Sequence, residues 1–202
     1  MLALHLLFVV AIRIGGVLQL IPRIRRSAPA FHRWNGRAYP LAAAILGVGG
    51  LAMVWLRGGM VGDLTQHLGI SLNALLILGF AGIAWRHARA QRFDLHRRWA
   101  LRLLLAVSGV WLFRIGLMFW IVVNQGTVGF DSKSFIGPFL SFLSFAQYLL
   151  PLGVLERYFH AQKRRDPRGQ LVMATALGIL TLLMMVGIGA ATAVLWLPHL
   201  HA

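Results

Sequence analysis

Six blocks of about twenty apolar residues run through this chain, and no other feature restricts its fold so tightly. They lie at roughly 2–20, 38–56, 66–85, 99–121, 135–156 and 171–196. A helix rises about 1.5 Å per residue, so each block can cross a hydrocarbon core of about 30 Å. Lipid offers no hydrogen bonds to a backbone, and a helix of that length satisfies its own. Composition agrees: 58% of the 202 residues are hydrophobic and only 12% are charged, too few for the polar shell of a soluble domain. The expected fold is all-α, a single integral membrane domain over 1–202 built as a polytopic bundle of about six spans. The first block lacks the basic start and small-residue cleavage site of a secretory leader, and reads as a span.

The charges orient that bundle. Lys and Arg number 20 against 5 Asp and Glu, for a formal net charge of +15. The first, third and fifth connections hold Arg23, Arg25, Arg26, Arg33 and Arg37; Arg86, Arg89, Arg92, Arg97, Arg98 and Arg102; and Arg157, Lys163, Arg164, Arg165 and Arg168. The second and fourth hold only Arg57 and Lys133, beside Asp63 and Asp131. Basic residues collect on the cytoplasmic side of membrane proteins, so both termini are expected outside a bacterial inner membrane and the three basic connections inside. That rule accounts for the charge without nucleic acid; anionic membrane lipids are the expected partners. There is no cysteine, which excludes disulfides, thiolate metal sites and dithiol redox chemistry.

Glycines such as Gly15, Gly16, Gly47, Gly79, Gly82, Gly187 and Gly189 mark places where helices can approach closely. Pro151 is expected to bend the fifth span. Trp34, Trp99, Tyr39, Tyr158 and Trp196 stand near span ends as interfacial anchors. A short internal echo is more informative. Phe31-His32-Arg33-Trp34 with Arg37 leads into the second span, and Leu95-His96-Arg97-Arg98-Trp99 with Arg102 into the fourth. The preceding spans match crudely as well, Leu4-His5-Leu6 against Gln66-His67-Leu68. The pattern reads as a tandem helical-hairpin repeat about an axis along the membrane normal.

From His5 to about Trp120 the chain resembles a bacterial family of predicted membrane proteins, domain of unknown function 2306. The resemblance is carried by Gly16-Val17-Leu18-Gln19, Pro22-Arg23-Ile24-Arg25-Arg26, His32-Arg33-Trp34-Asn35-Gly36-Arg37-Ala38-Tyr39 and His96-Arg97-Arg98-Trp99-Ala100-Leu101-Arg102, with Arg114 and Glu156 farther on. It implies a polytopic membrane fold, no activity, and in family members a further helix before the one that begins this chain. A more distant likeness to di-haem transmembrane cytochromes is an analogy of fold.

A b-type haem in a helical bundle needs two imidazoles at one depth on facing helices. His5 lies about 9 Å outward of its span's midpoint and His67 about 13 Å. His32 and His96 both lie at the inner interface. The topology therefore offers an inner pair, His32 with His96, and an outer pair, His5 with His67. Against this, His32, His87, His96 and His160 also suit basic loops beside headgroups, and His199 and His201 a polar tail. Arg13 and Arg114 fall inside spans, where a charge costs about 2.5–3.5 kcal/mol on insertion scales, so both are expected to face the bundle interior or a wet cavity. Arg13 reads as a helix clamp. Arg114 has Asn73, Gln147, carbonyls or an anionic group such as a haem propionate as possible partners, and Glu156 is the one carboxylate bordering a span. Asp94 with His96 makes a weak metal site among six arginines.

Paired carboxylates, phosphate-binding glycine loops and zinc motifs are absent. The leading expectation is b-type haem binding and transmembrane electron transfer, with a quinone or a redox partner protein as donor or acceptor. His32, His96, His5 and His67 would be its iron ligands and Arg114 a partner for a negative group. The alternatives are a small transporter or lipid-handling protein with Arg114 and Glu156 beside a cavity, and a non-catalytic membrane subunit.

Overall fold

The computed structural model describes residues 2–56, 62–164 and 166–195, apart from the side chains of 2–9, 11, 194 and 195. Its elements are α1 (Leu2–Leu20), α2 (Pro22–Ser27), α3 (Pro29–Leu56), α4 (Leu64–Arg89), α5 (Phe93–Val107), α6 (Gly109–Asn124), α7 (Pro138–Arg164) and α8 (Pro167–Leu195). Among the described residues all regular structure is helical. The helices α3, α4, α7 and α8 are each long and apolar enough to cross a membrane, and α5 with α6 adds a fifth when read as one broken span. The expected first span coincides with α1, where most side chains lie outside the described residues, as does Trp196.

Proline opens α2, α3, α7 and α8, the position where its missing N–H costs nothing. Pro40 and Pro151 sit inside α3 and α7, which run on through them. The helices also outrun the apolar blocks at their basic ends. Arginine and lysine are good helix formers, so α3 reaches back to Pro29 and α7 forward to Arg164, and much of the basic charge stands on helix feet. What stops α4 is a turn in which Gln91 takes φ 55°. There the Arg92 N–H donates to the His87 carbonyl at 3.0 Å and the Gln91 N–H to Ala88 at 3.1 Å. Gln125, φ 53°, ends α6 in the same way.

The chain divides into two compact units, each with its own core. The first comprises residues 1–60 and 70–108. Its core is Ile12, Tyr39, Ala43, Ile77, Ala81, Leu103 and Ala106, so small residues set how closely the helices approach. A Cβ on Gly16 would come within 2.7 Å of Leu104 and 3.0 Å of the Tyr39 ring. Tyr39 is therefore not the expected interfacial anchor: it is buried one turn beyond Asn35 and one turn before Ala43, on the inward face of α3. Arg13 donates to the Ser108 hydroxyl at 3.1 Å, the clamp expected of it.

The second unit comprises residues 61–69 and 109–202. Leu117, Leu140 and Leu143 form its core under Phe113, Phe130, Phe135 and Phe139, with Trp120 stacked on Phe139 at 4.3 Å. The first turn of α4 belongs here, capped by Asp63, which accepts the Gln66 N–H at 2.9 Å. The loop before α7 is organised by Asp131, whose Oδ1 accepts the Ser134 N–H at 2.6 Å, the Ser134 hydroxyl at 2.8 Å and the Lys133 N–H at 3.0 Å. These bonds favour the ionised form and hold its carboxyl below the usual carboxylate range. Their contribution is present above the unfolded pKa of about 3.9 and disappears as pH falls through the lower folded value. Exchange protection at the Ser134 amide, corrected for intrinsic rate, should survive at mildly acidic pH and be lost in Asp131→Asn. Equal protection in the two proteins would contradict this.

Candidate functional site

The two repeated histidines are placed at one register. His32 is the fourth residue of α3 and its N–H donates to the Ala28 carbonyl at 3.0 Å. His96 is the fourth residue of α5 and its N–H donates to the Arg92 carbonyl at 2.9 Å. Both belong to the first unit, and the rings lie within electrostatic reach of each other and of Arg25. The flanking tryptophans do not share that equivalence. One extra residue, Arg98, turns Trp99 about 100° around its helix relative to Trp34. Trp34 is thus exposed, while Trp99 is half-buried against Phe80, with Arg102 lying 4.5 Å from its ring centre.

Neighbouring helices hold the pair in place. Gln19 on α1 donates from Nε2 to the His32 carbonyl at 2.9 Å, and Asn35 donates from Nδ2 to the Gly15 carbonyl at 2.8 Å. The His96 Nδ1 lies 2.9 Å from the Ala84 carbonyl of α4. A carbonyl only accepts, so Nδ1 carries the proton, and in the neutral ring Nε2 keeps its lone pair. A backbone carbonyl behind a histidine is the arrangement that orients metal-ligating imidazoles. The His32 ring is half-buried, and its Nδ1 is buried with no hydrogen-bond partner.

The side chain of His5 lies outside the described residues, and His67 belongs to the second unit. Arg114 departs from expectation. It is exposed: α6 packs on two sides, with Leu117 against Leu140 and Leu143 of α7 and Ile115 against Gly187 of α8, and Arg114 stands between them. Its suggested partners are engaged elsewhere: Asn73 donates to the Ala106 carbonyl at 3.2 Å and Gln147 to the Ser144 carbonyl at 2.8 Å. Glu156 and Asp94 are both exposed. Among the described residues no group of three or more His, Cys, Asp or Glu side chains could hold a metal ion.

The helical segments, both histidine blocks and Gln19 fall within the range of one family model. The family model described as predicted membrane protein (DUF2306) matches residues 2–150, well over half of the chain. The chain belongs to this family. The match spans α1 to α6 and the first half of α7, and includes Gln19, His32, Asn35 and His96. It reaches beyond the Trp120 at which the sequence resemblance was placed, and stops short of Glu156. The family description names no activity. No curated protein and no solved structure matches the chain.

A bare metal ion would be under-ligated by two imidazoles. A porphyrin supplies the equatorial donors itself, so its iron asks the protein only for an axial pair. The donor chemistry of His32 and His96, the fixed ring of His96 and the orphaned His32 Nδ1 fit that demand. Gln19 and Asn35 hold α1 against α3, and both stand in the motifs that carry the family resemblance. Ser144, Gln147 and Tyr148 form a buried polar run on α7 whose roughly helical spacing was legible in the sequence.

Proposed function

We propose that this protein is a multi-span component of the bacterial inner membrane, with its termini outside and its basic helix feet cytoplasmic, that binds a b-type haem between His32 and His96. The observation supporting the haem is the placement of two imidazoles at one register on α3 and α5, one of them fixed by a backbone carbonyl. A bound haem supplies one-electron redox chemistry. The chain's own residues do the rest: the Ala84 carbonyl orients His96, Gln19 steadies the backbone at His32, and Arg25, whose charge is felt at His32, would be the cation available to a propionate. A haem at the inner face alone does not carry electrons over a core of about 30 Å. Transmembrane transfer would also require a second electron carrier nearer the outer surface. The chain has no flavin or nicotinamide motif, so a quinone or a redox partner protein would supply or accept the electrons.

Protein purified in mild detergent from haem-replete cells should contain about one extractable haem per chain. Haem-free protein from such cells would end the proposal. Orientation is testable separately because the chain has no cysteine. In intact spheroplasts a membrane-impermeant maleimide should label Lys133→Cys and leave Arg92→Cys unlabelled until the cells are lysed. The opposite pattern would reverse the orientation.

A further inference from the structure

Helix α8 makes a close contact at Gly187, against Ile115 of α6. Nearer its start, a crevice of about 860 Å³ separates it from α7, a volume within the range of small-ligand sites. Tyr158, Ala161 and Gln162 line one wall, and Met173, Ala174 and Leu177 the other. Both sets have the three- and four-residue spacing of a single helix face, so two stripes confront each other. An alanine on each wall leaves the room between them.

This crevice has a charged end and an apolar end. Residues 165 and 166 alone separate α7 from α8, so its mouth lies at the basic turn. Gln162 and Gln170 stand there, flanked by exposed Lys163, Arg164 and Arg168. Asp166 is the one acid of the turn, and its oxygens accept the Arg168 and Gly169 N–H groups at 3.2 and 3.0 Å. That carboxylate caps α8, and three cations outnumber it. From Gln170 to Leu177 the crevice then runs about 10 Å along a helix long and apolar enough to cross the membrane. On the opposite wall the Tyr158 hydroxyl accepts from Gln162 Nε2 at 2.6 Å, which leaves its own proton for an acceptor in the crevice.

We propose that the crevice binds an anionic phospholipid, with an acyl chain against Met173, Ala174 and Leu177 and its phosphate among Lys163, Arg164 and Arg168. Charge complementarity selects this occupant. A zwitterionic lipid or a quinone brings no net charge to the mouth, and a water-soluble anion gains nothing from the apolar walls. Basic pockets between membrane helices are where anionic headgroups bind. The site narrows the general attraction of basic helix feet for anionic lipid to one place, and it is independent of the haem.

The test reconstitutes the full-length protein in phosphatidylcholine vesicles with a trace of phosphatidylglycerol that carries a diazirine in one acyl chain. After irradiation, mass spectrometry maps the label. The proposal expects label on the stretch from Gln170 to Leu177, displaced by unlabelled phosphatidylglycerol, and far less from the same probe with a phosphatidylcholine headgroup. Lys163→Gln combined with Arg168→Gln should weaken it about thirtyfold, the effect of two surface cations. Arg86→Gln with Arg89→Gln removes equal charge from the first unit and should leave it unchanged. Ala174→Trp fills the crevice and should abolish the label, with an unchanged thermal transition to show that the protein is folded. Equal labelling by the two headgroups, label insensitive to the Lys163 and Arg168 changes, or label retained in Ala174→Trp would each overturn the proposal. So would an unlabelled crevice, the result if a second copy of the chain covers it.

Discussion

Gly187→Ala should loosen the packing of α8 by about 1–3 kcal/mol, the usual cost of overfilling a close contact, while Gly189→Ala should leave it unchanged. The two glycines share one helix and one composition, yet meet different surroundings. A Cβ on Gly187 would come 2.5 Å from Ile115 Cγ2 and 2.8 Å from the Ile115 carbonyl oxygen. A side chain can turn away, but a backbone carbonyl moves only if α6 moves with it. Around Gly189 nothing lies within 4 Å. The contrast matters because α8 is otherwise little covered: Leu171, Val172, Leu182 and Met185 are all more than 60% exposed. Apolar side chains gain nothing by leaving lipid for one another, so close approach at Gly187 is what holds α8. Thermal unfolding in detergent of the wild type and both variants reads the difference directly. Equal transitions for Gly187→Ala and Gly189→Ala would show that the Ile115 contact does not support α8.

His96→Ala and His32→Ala should each lower haem retention more than the tenfold to hundredfold typical of losing a group behind a ligand, because each would remove one of the two proposed iron-binding imidazoles. Gln19→Leu should fall within that milder range, since it releases the backbone at His32 and leaves both imidazoles in place. His160→Ala is a fitting control, an exposed histidine near the basic end of α7 in the other unit. Haem retained per chain after size exclusion at fixed dilution gives the comparison. Equal retention in His96→Ala and His160→Ala would remove His96 from the ligand set.

The bundle was legible because lipid permits so few solutions: an apolar block of about twenty residues has to become a helix. What a single sequence left open was which face of each helix turns inward. Tyr39 fits an interfacial tyrosine by its place near a span end, but α3 begins far enough back to carry it into the core beside Ala43. Arg114 looks like an inward charge by the cost of the alternative, yet it stands between the two sides of α6 that pack, Leu117 toward α7 and Ile115 toward α8. The break at Ser108 falls on a Ser-Gly pair, Ser108-Gly109, inside an otherwise unbroken apolar block, and the Ser108 carbonyl lies 3.5 Å from the Arg13 guanidinium. The turns at Gln91 and Gln125 take left-handed backbone without glycine, so no residue type announced them. The inner histidines were legible as a repeated block. Their common register on α3 and α5 emerged only once each helix start was fixed, at Pro29 and Phe93.

The central claim, that His32 and His96 hold a haem, meets its most direct test in a dithionite-reduced minus oxidised spectrum of the purified protein from haem-replete cells. The account predicts a Soret and α-band difference typical of a b-type haem, abolished when His32→Ala and His96→Ala are combined. A flat spectrum from folded wild-type protein, or an unaltered one from the double variant, would contradict it.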